Sequence, residues 1–242
     1  NNNMAGNAKS KRISNNRTFE VSDSYTFGGT LGGAVVEDKL FYFVSYENFK
    51  QETPTPFGVG SGSNPSLVTQ AQVESVLKTL KDTYGVTDSL GSDPEDTDEK
   101  ILLKIDWNIN DLHRADFTYQ FQNNLEGRNF SDSNSTLVLK SRAYDYKTIT
   151  SNFAGHLFSD WTDAFSTEVS FAYKDVKAES LLNSFNAAYS IQTPTGRING
   201  GTDVFRHANV ADNVNFKLGV DATYLMDEHT LNFGYEVERL NL

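Results

Sequence analysis

The densest set of groups able to do chemistry in this sequence is a run of carboxylates, Asp93, Glu95, Asp96, Asp98 and Glu99, in the stretch TDSLGSDPEDTDEK. Hard divalent cations bind clustered carboxylate oxygens, so the run is a calcium candidate. It lacks the spacing and central glycine of an EF-hand loop, and a solvated acidic loop is the favoured reading. The four histidines, His113, His156, His207 and His229, are scattered, and no spacing joins them to a serine and an aspartate as a triad. The signatures GxSxG and HExxH, the P-loop and the Rossmann fingerprint are all missing. Zero cysteines removes disulfides, zinc–thiolate sites and thiol catalysis together. The expectation is a protein that is not an enzyme and carries no cofactor and no metal.

Composition narrows the remaining classes. The 242 residues could hold one large β domain or two small ones. A net charge of −11, from 32 acidic and 21 basic residues, makes nucleic acid a poor partner, because phosphate binding needs a basic surface. Hydrophobic content of 38% is low for a packed soluble protein, while 12% aromatics and 17 glycines suit strands whose two faces meet different solvents. No run reaches the ~18 to 20 apolar residues of a membrane helix, whereas a barrel strand needs only ~9 to 11 alternating ones.

Alternation of that kind recurs in pairs. The stretch YTFGGTLGGAVVEDKLFYFVSYENF reads as two strands, about 20–36 and 40–49, turned at Glu37-Asp38-Lys39. Leu40, Tyr42, Val44 and Tyr46 share one face of its second strand. Gly28-Gly29 and Gly32-Gly33 fall inside the first strand, where glycine needs a bend or a close approach to be tolerated. A second pair covers 100–108 and 114–122. Its apolar parity is Ile101, Leu103, Ile105 and Trp107, then Phe117, Tyr119 and Phe121; its charged parity includes Lys104, Asp106, Arg114 and Asp116. A third pair covers 147–158 and 166–176, with Val169, Phe171 and Tyr173 on the apolar parity and Glu168 opposite. The last covers 213–226 and 230–240. There Val214, Phe216, Leu218 and Val220, then Leu231, Phe233 and Tyr235, face away from Lys217, Asp221 and Glu236.

Between the pairs run long polar segments, 50–99, 123–145 and 177–212. The first carries a helix: Thr69 as N-cap with Gln72 three residues on, an apolar stripe of Val73, Val76, Leu77, Leu80 and Tyr84, and Gly85 as the stop. Every second connection is therefore short. An outer-membrane barrel sorts its connections this way, with short turns on one rim and long loops on the other. On this reading the fold is all-β, a segment of about eight antiparallel strands of a transmembrane β-barrel. The apolar parity faces lipid, and the charged parity faces a wet or plugged lumen. Trp107, Tyr42, Tyr46, Tyr119, Phe121, Tyr173, Tyr224 and Tyr235 are the candidates for interfacial aromatic girdles. Two alternatives remain: a small closed eight-stranded barrel with a structural or adhesion role, and a soluble β-sandwich that binds carbohydrate.

The segments FGGTLGGAVVEDKLFYFVSYENF, KILLKIDWNINDLHRADFTYQF and HTLNFGYEVERLNL resemble the early barrel of TonB-dependent outer-membrane receptors, in particular the Oar-like group. Residues 123–212 match that family in pattern only. The resemblance implies a barrel of about 22 strands in the bacterial outer membrane with a plugged lumen, of which these 242 residues supply roughly the first third. It implies energised uptake of a ligand, with TonB, a plug domain and outer-membrane lipid as partners and a surface lipoprotein as a further candidate. The polar start NNNMAGNAKSKR has no apolar h-region and no plug sequence, so the chain reads as a stretch of a longer protein. Acidic loops facing the ligand would favour a cationic, metal-bearing or peptide ligand.

Overall fold

The structure is a computed structural model, describing residues 8–9, 18–19, 23–60, 64–128, 131, 133–206 and 209–242. Residues 20–22 of the first expected strand, most of the polar basic lead and His207 lie outside the described residues.

One antiparallel sheet of eight strands dominates. Its strands are β1 (Asp23–Val36), β2 (Leu40–Glu52), β3 (Glu95–Asn110), β4 (His113–Arg128), β5 (Tyr144–Thr162), β6 (Phe165–Leu182), β7 (Val210–Met226) and β8 (His229–Asn241). Each strand pairs with its neighbours in sequence, giving the order β8-β7-β6-β5-β4-β3-β2-β1. Among the described residues β1 and β8 do not pair with each other, so the sheet is open and these two strands are its edges. A small barrel closed by eight strands is not what forms.

The four hairpin turns lie at one end of the sheet. Asp38 (φ 59) and Asp227 (φ 51) take the left-handed conformation that two of these turns require. Aspartate tolerates it better than most residues, because its short side chain bonds to its own backbone.

At the other end, strands β2 to β7 run further toward the long connections than alternation alone indicates. The reason is polar pairing. Glu95 reaches Lys50 at 2.5 Å, and Gln122 Nε2 donates to Asp98 Oδ1 at 2.9 Å. Charged residues that read as loop thereby satisfy one another across strands.

Above this end the three long connections fold together into a cap. Helix α1 (Gln70–Tyr84) starts at Thr69 and Gln72 in a capping box and stops at Gly85, which is left-handed (φ 67). A small sheet pairs Thr136–Val138 in parallel with Arg197–Gly200, which pairs antiparallel with Tyr189–Gln192. The buried apolar core lies here and not under the large sheet: Val68, Val73, Leu80, Leu137, Leu139 and Ile198, drawn from all three connections.

Candidate functional site

Directly opposed residues of paired strands share a face, so the register assigns sides. One row across the sheet reads Gly33, Tyr42, Ile105, Phe117, Gly155, Phe171, Leu218 and Val237. The row nearer the cap reads Leu31, Val44, Leu103, Tyr119, Phe153, Tyr173 and Phe216. The row nearer the turns reads Leu40, Trp107, Ala115, Leu157, Val169, Val220 and Tyr235. Toward the cap the same face continues through Tyr46, Ile101 and Phe121, is broken by Ser151 and Asp175, and resumes at Val214, while Arg239 stands beside Phe216 at the β8 edge; Phe233 and Leu231 continue it toward the turns.

The rows form one apolar belt, stitched by ring contacts such as Tyr119 to Phe153 at 4.7 Å and Phe117 to Phe171 at 6.4 Å between centroids. Apart from Gly155, which carries no side chain, none of the residues named in these rows is buried, and Tyr235 is 73% exposed. On β7 the face from Val214 to Tyr224 spans ten residue steps, ~34 Å along the strand. At a barrel strand's tilt of about 40° that is ~26 Å of height, against an apolar band of about 25 Å in such barrels.

The opposite face is polar, and several of its charges are paired. Its rows include Asp106, Asp116, His156, Ser170, Gly219 and Glu236, and beside them Lys104, Thr118, Ala154, Ala172 and Lys217. Lys104 pairs with Asp106 at 3.0 Å, His156 Nδ1 meets Asp116 Oδ1 at 2.9 Å, and Lys217 pairs with Glu236 at 2.8 Å. Arg114 lies over the Phe158 ring at 4.6 Å, and Glu168 faces Asp221 across the β6–β7 pair.

The aromatic residues expected as girdles do not sit at one level. Tyr42, Tyr119 and Tyr173 lie within the middle rows of the belt. A ring pair that the sequence reading left in a turn instead marks the turn-side margin: Trp161 stacks edge-on against His113 at 5.1 Å and donates to Thr167 Oγ1 at 2.9 Å. Strand β5 runs to Thr162, which places that indole on the sheet.

The acidic run is not a free loop. Asp93 Oδ1 accepts from the Thr55 N–H at 2.7 Å, and Asp96 Oδ1 from the Gly127 N–H at 3.0 Å. Lys100 reaches Asp98 at 3.1 Å, and Glu99 accepts from the Tyr46 hydroxyl at 3.1 Å. Asp96, Asp98 and Glu99 are thus engaged within the sheet, and Asp93 is engaged just beyond its end. Among the described residues no group of three His, Asp or Glu is arranged to hold a metal ion.

What sequence reasoning missed is the coupling of the three connections. Asp88, in the first, accepts from the Ser141 N–H of the second at 3.1 Å, and also from the Ser141 and Tyr189 hydroxyls. Tyr189 belongs to the third, so one carboxylate ties all three together. Burial, followed by the Asp88 carboxylate, pushes the Tyr189 hydroxyl well above its ordinary pKa, and it stays a donor. Arg142 adds a pair to Asp203 at 3.2 Å.

No family model matches this sequence, and no curated protein matches it. In fold, the chain is similar to the crystal structure of the outer membrane transporter YddB from Escherichia coli. The TM-score is 0.55 at 9% identity, over 92% of this chain and 26% of that one. The chain therefore shares its fold with part of that protein and spans about a quarter of its length. Nothing in these comparisons singles out the Oar-like group.

Proposed function

We propose that this chain is barrel wall and cap of an outer-membrane TonB-dependent receptor that takes up a ligand with energy supplied through TonB. The observation that carries the reading is the uncovered apolar belt. A contiguous apolar face larger than a few hundred Å² needs a partner, and the sheet's own buried core lies elsewhere, in the cap. Lipid is the partner that fits a belt of this height on an antiparallel sheet.

The belt residues, from Leu40 to Tyr235, then face lipid, and the ion-paired face looks into a lumen filled by a plug domain. Further strands complete a wall of about 22 by pairing with the edges β1 and β8. The cap lies on the outer surface, where ligand is captured. No catalytic step is required of any residue. The soluble sandwich has less support, because no second sheet lies over the belt among the described residues.

The test is fractionation of the native protein together with its intact mass. Recovery in detergent-extracted outer membranes, at a mass several times that of 242 residues, fits a large transporter. Recovery in the soluble fraction would overturn the membrane reading.

A further inference from the structure

Three cavities open on the sheet or where it meets the cap, and they differ in charge. One of about 510 Å³ is lined by Glu52, Asp93, Glu95 and Asp145 among others. One of about 440 Å³ holds Glu47 beside Lys100 and Lys174. The third, of about 600 Å³, has no carboxylate in its lining, although the chain carries a net charge of −11. Its polar wall is Arg128, Tyr144, Tyr146, Arg206 and Asn209.

The register puts this third cavity on the polar face. Tyr144 opposes Arg128 directly, and Tyr146 lies two residues further along β5 on the same side. Arg206 reaches in from the third connection, and its Nε donates to the Tyr144 hydroxyl at 3.2 Å. The two terminal nitrogens of Arg206 have no protein partner among the described residues. Arg128 is held by Glu126 on its own strand. Phe205, next to Arg206 in sequence, is 75% exposed.

We propose that this cavity binds an acidic sugar, a uronate-bearing oligosaccharide, as the ligand or part of the ligand taken up. The inference rests on the transporter reading above. A guanidinium fork matches a carboxylate in two parallel hydrogen bonds. Phenol rings offer flat apolar faces with a polar edge, suited to a ring bearing both C–H and hydroxyl groups. The Asn209 amide can donate and accept, as a hydroxyl requires. An open, polar cavity disfavours a purely apolar ligand.

The experiment is calorimetric titration of the full-length protein in detergent with digalacturonate, and with maltose as the neutral disaccharide. Digalacturonate is expected to bind, maltose to bind about tenfold more weakly or worse, and Arg206→Gln to weaken digalacturonate about tenfold. Arg206→Lys, which keeps the charge but not the fork, should fall between the two. Equal binding of both sugars, or digalacturonate binding that ignores Arg206→Gln in a variant with unchanged thermal unfolding, overturns the proposal. Outer-membrane fractionation of the same preparation separates the two claims. A membrane-embedded protein indifferent to digalacturonate refutes the ligand alone, whereas a soluble protein refutes the transporter reading.

Discussion

Replacing Leu103 by arginine separates a lipid-facing belt from an exposed sheet in water. Leu103 lies directly between Val44 and Tyr119 in the register, in an inner row of the belt, and is 38% exposed. If water covers that face, the substitution changes an exposed position away from any core, and its effect should stay within about 0.5 kcal/mol. If hydrocarbon covers it, an arginine near the bilayer midplane of a barrel costs about 2–4 kcal/mol. That cost corresponds to a change of about 30-fold to several hundred-fold in the folding equilibrium, at 1.4 kcal/mol per factor of ten. The control is Gln120→Arg, one residue along β4 from Tyr119 and on the opposite face, between Leu102 and Asn152. Folding of the full-length protein into lipid vesicles, followed by urea titration and by the gel mobility of folded against boiled protein, reads both variants. The reasoning predicts a large loss for Leu103→Arg and a small one for Gln120→Arg. Equal losses, or a larger loss for Gln120→Arg, would falsify the assignment of faces.

The cap and the sheet edge supply further tests. Asp88→Ala leaves the Ser141 and Tyr189 donors without their acceptor. At about 1–3 kcal/mol for each stranded buried group, all three connections should become cleavable together in limited proteolysis while the sheet stays resistant. Thr69→Ala removes the N-cap of α1 and should cost about 1 kcal/mol, read as faster amide exchange confined to the first turn of the helix. The two faces of β1 should respond in opposite ways. A Cβ on Gly28 would lie 2.6 Å from the Tyr46 carbonyl oxygen, whereas one on Gly29 would meet nothing within 4 Å. Gly28→Ala should therefore destabilise by about 1–3 kcal/mol, and Gly29→Ala should be neutral or stabilise by up to about 1 kcal/mol; urea midpoints decide.

The large sheet was legible in the sequence because alternation is a local signal. Each of β2 to β8 shows its period-two pattern over enough residues to read unaided, and neighbours in sequence are neighbours in space. The capping box of α1 was legible for the same reason. The cap core was not. Leu137 lies in a three-residue strand with Leu139 just after it, and Ile198 lies in a four-residue one, too short for any period to appear. Their burial depends on a parallel pairing between segments about 60 residues apart, which no local pattern encodes. The acidic stretch failed for a third reason. Glu95 to Glu99 look like loop because charge is rare in strands, yet Lys50 and Gln122 reach them from the neighbouring strands and Lys100 on their own strand pairs with Asp98.

The glycines of β1 connect that local pattern to the shape of the wall. Gly28 and Gly32 lie on the polar face, opposite Glu47 and Phe43, while Gly29 and Gly33 lie on the belt face, opposite Tyr46 and Tyr42. On the polar face a Cβ at Gly32 would come within 3.1 Å of the Tyr42 carbonyl oxygen, and one at Gly28 closer still. On the belt face the nearest atom to either position is a Tyr42 ring carbon at 3.8 Å, from Gly33. Crowding on one side and room on the other is what a sheet bending toward its polar face requires, with glycine placed where the backbones converge. Such bending puts the ion-paired face inside and the apolar face outside. The order of those two faces is the one that separates a membrane barrel from a soluble one, whose apolar side chains would fill the interior instead.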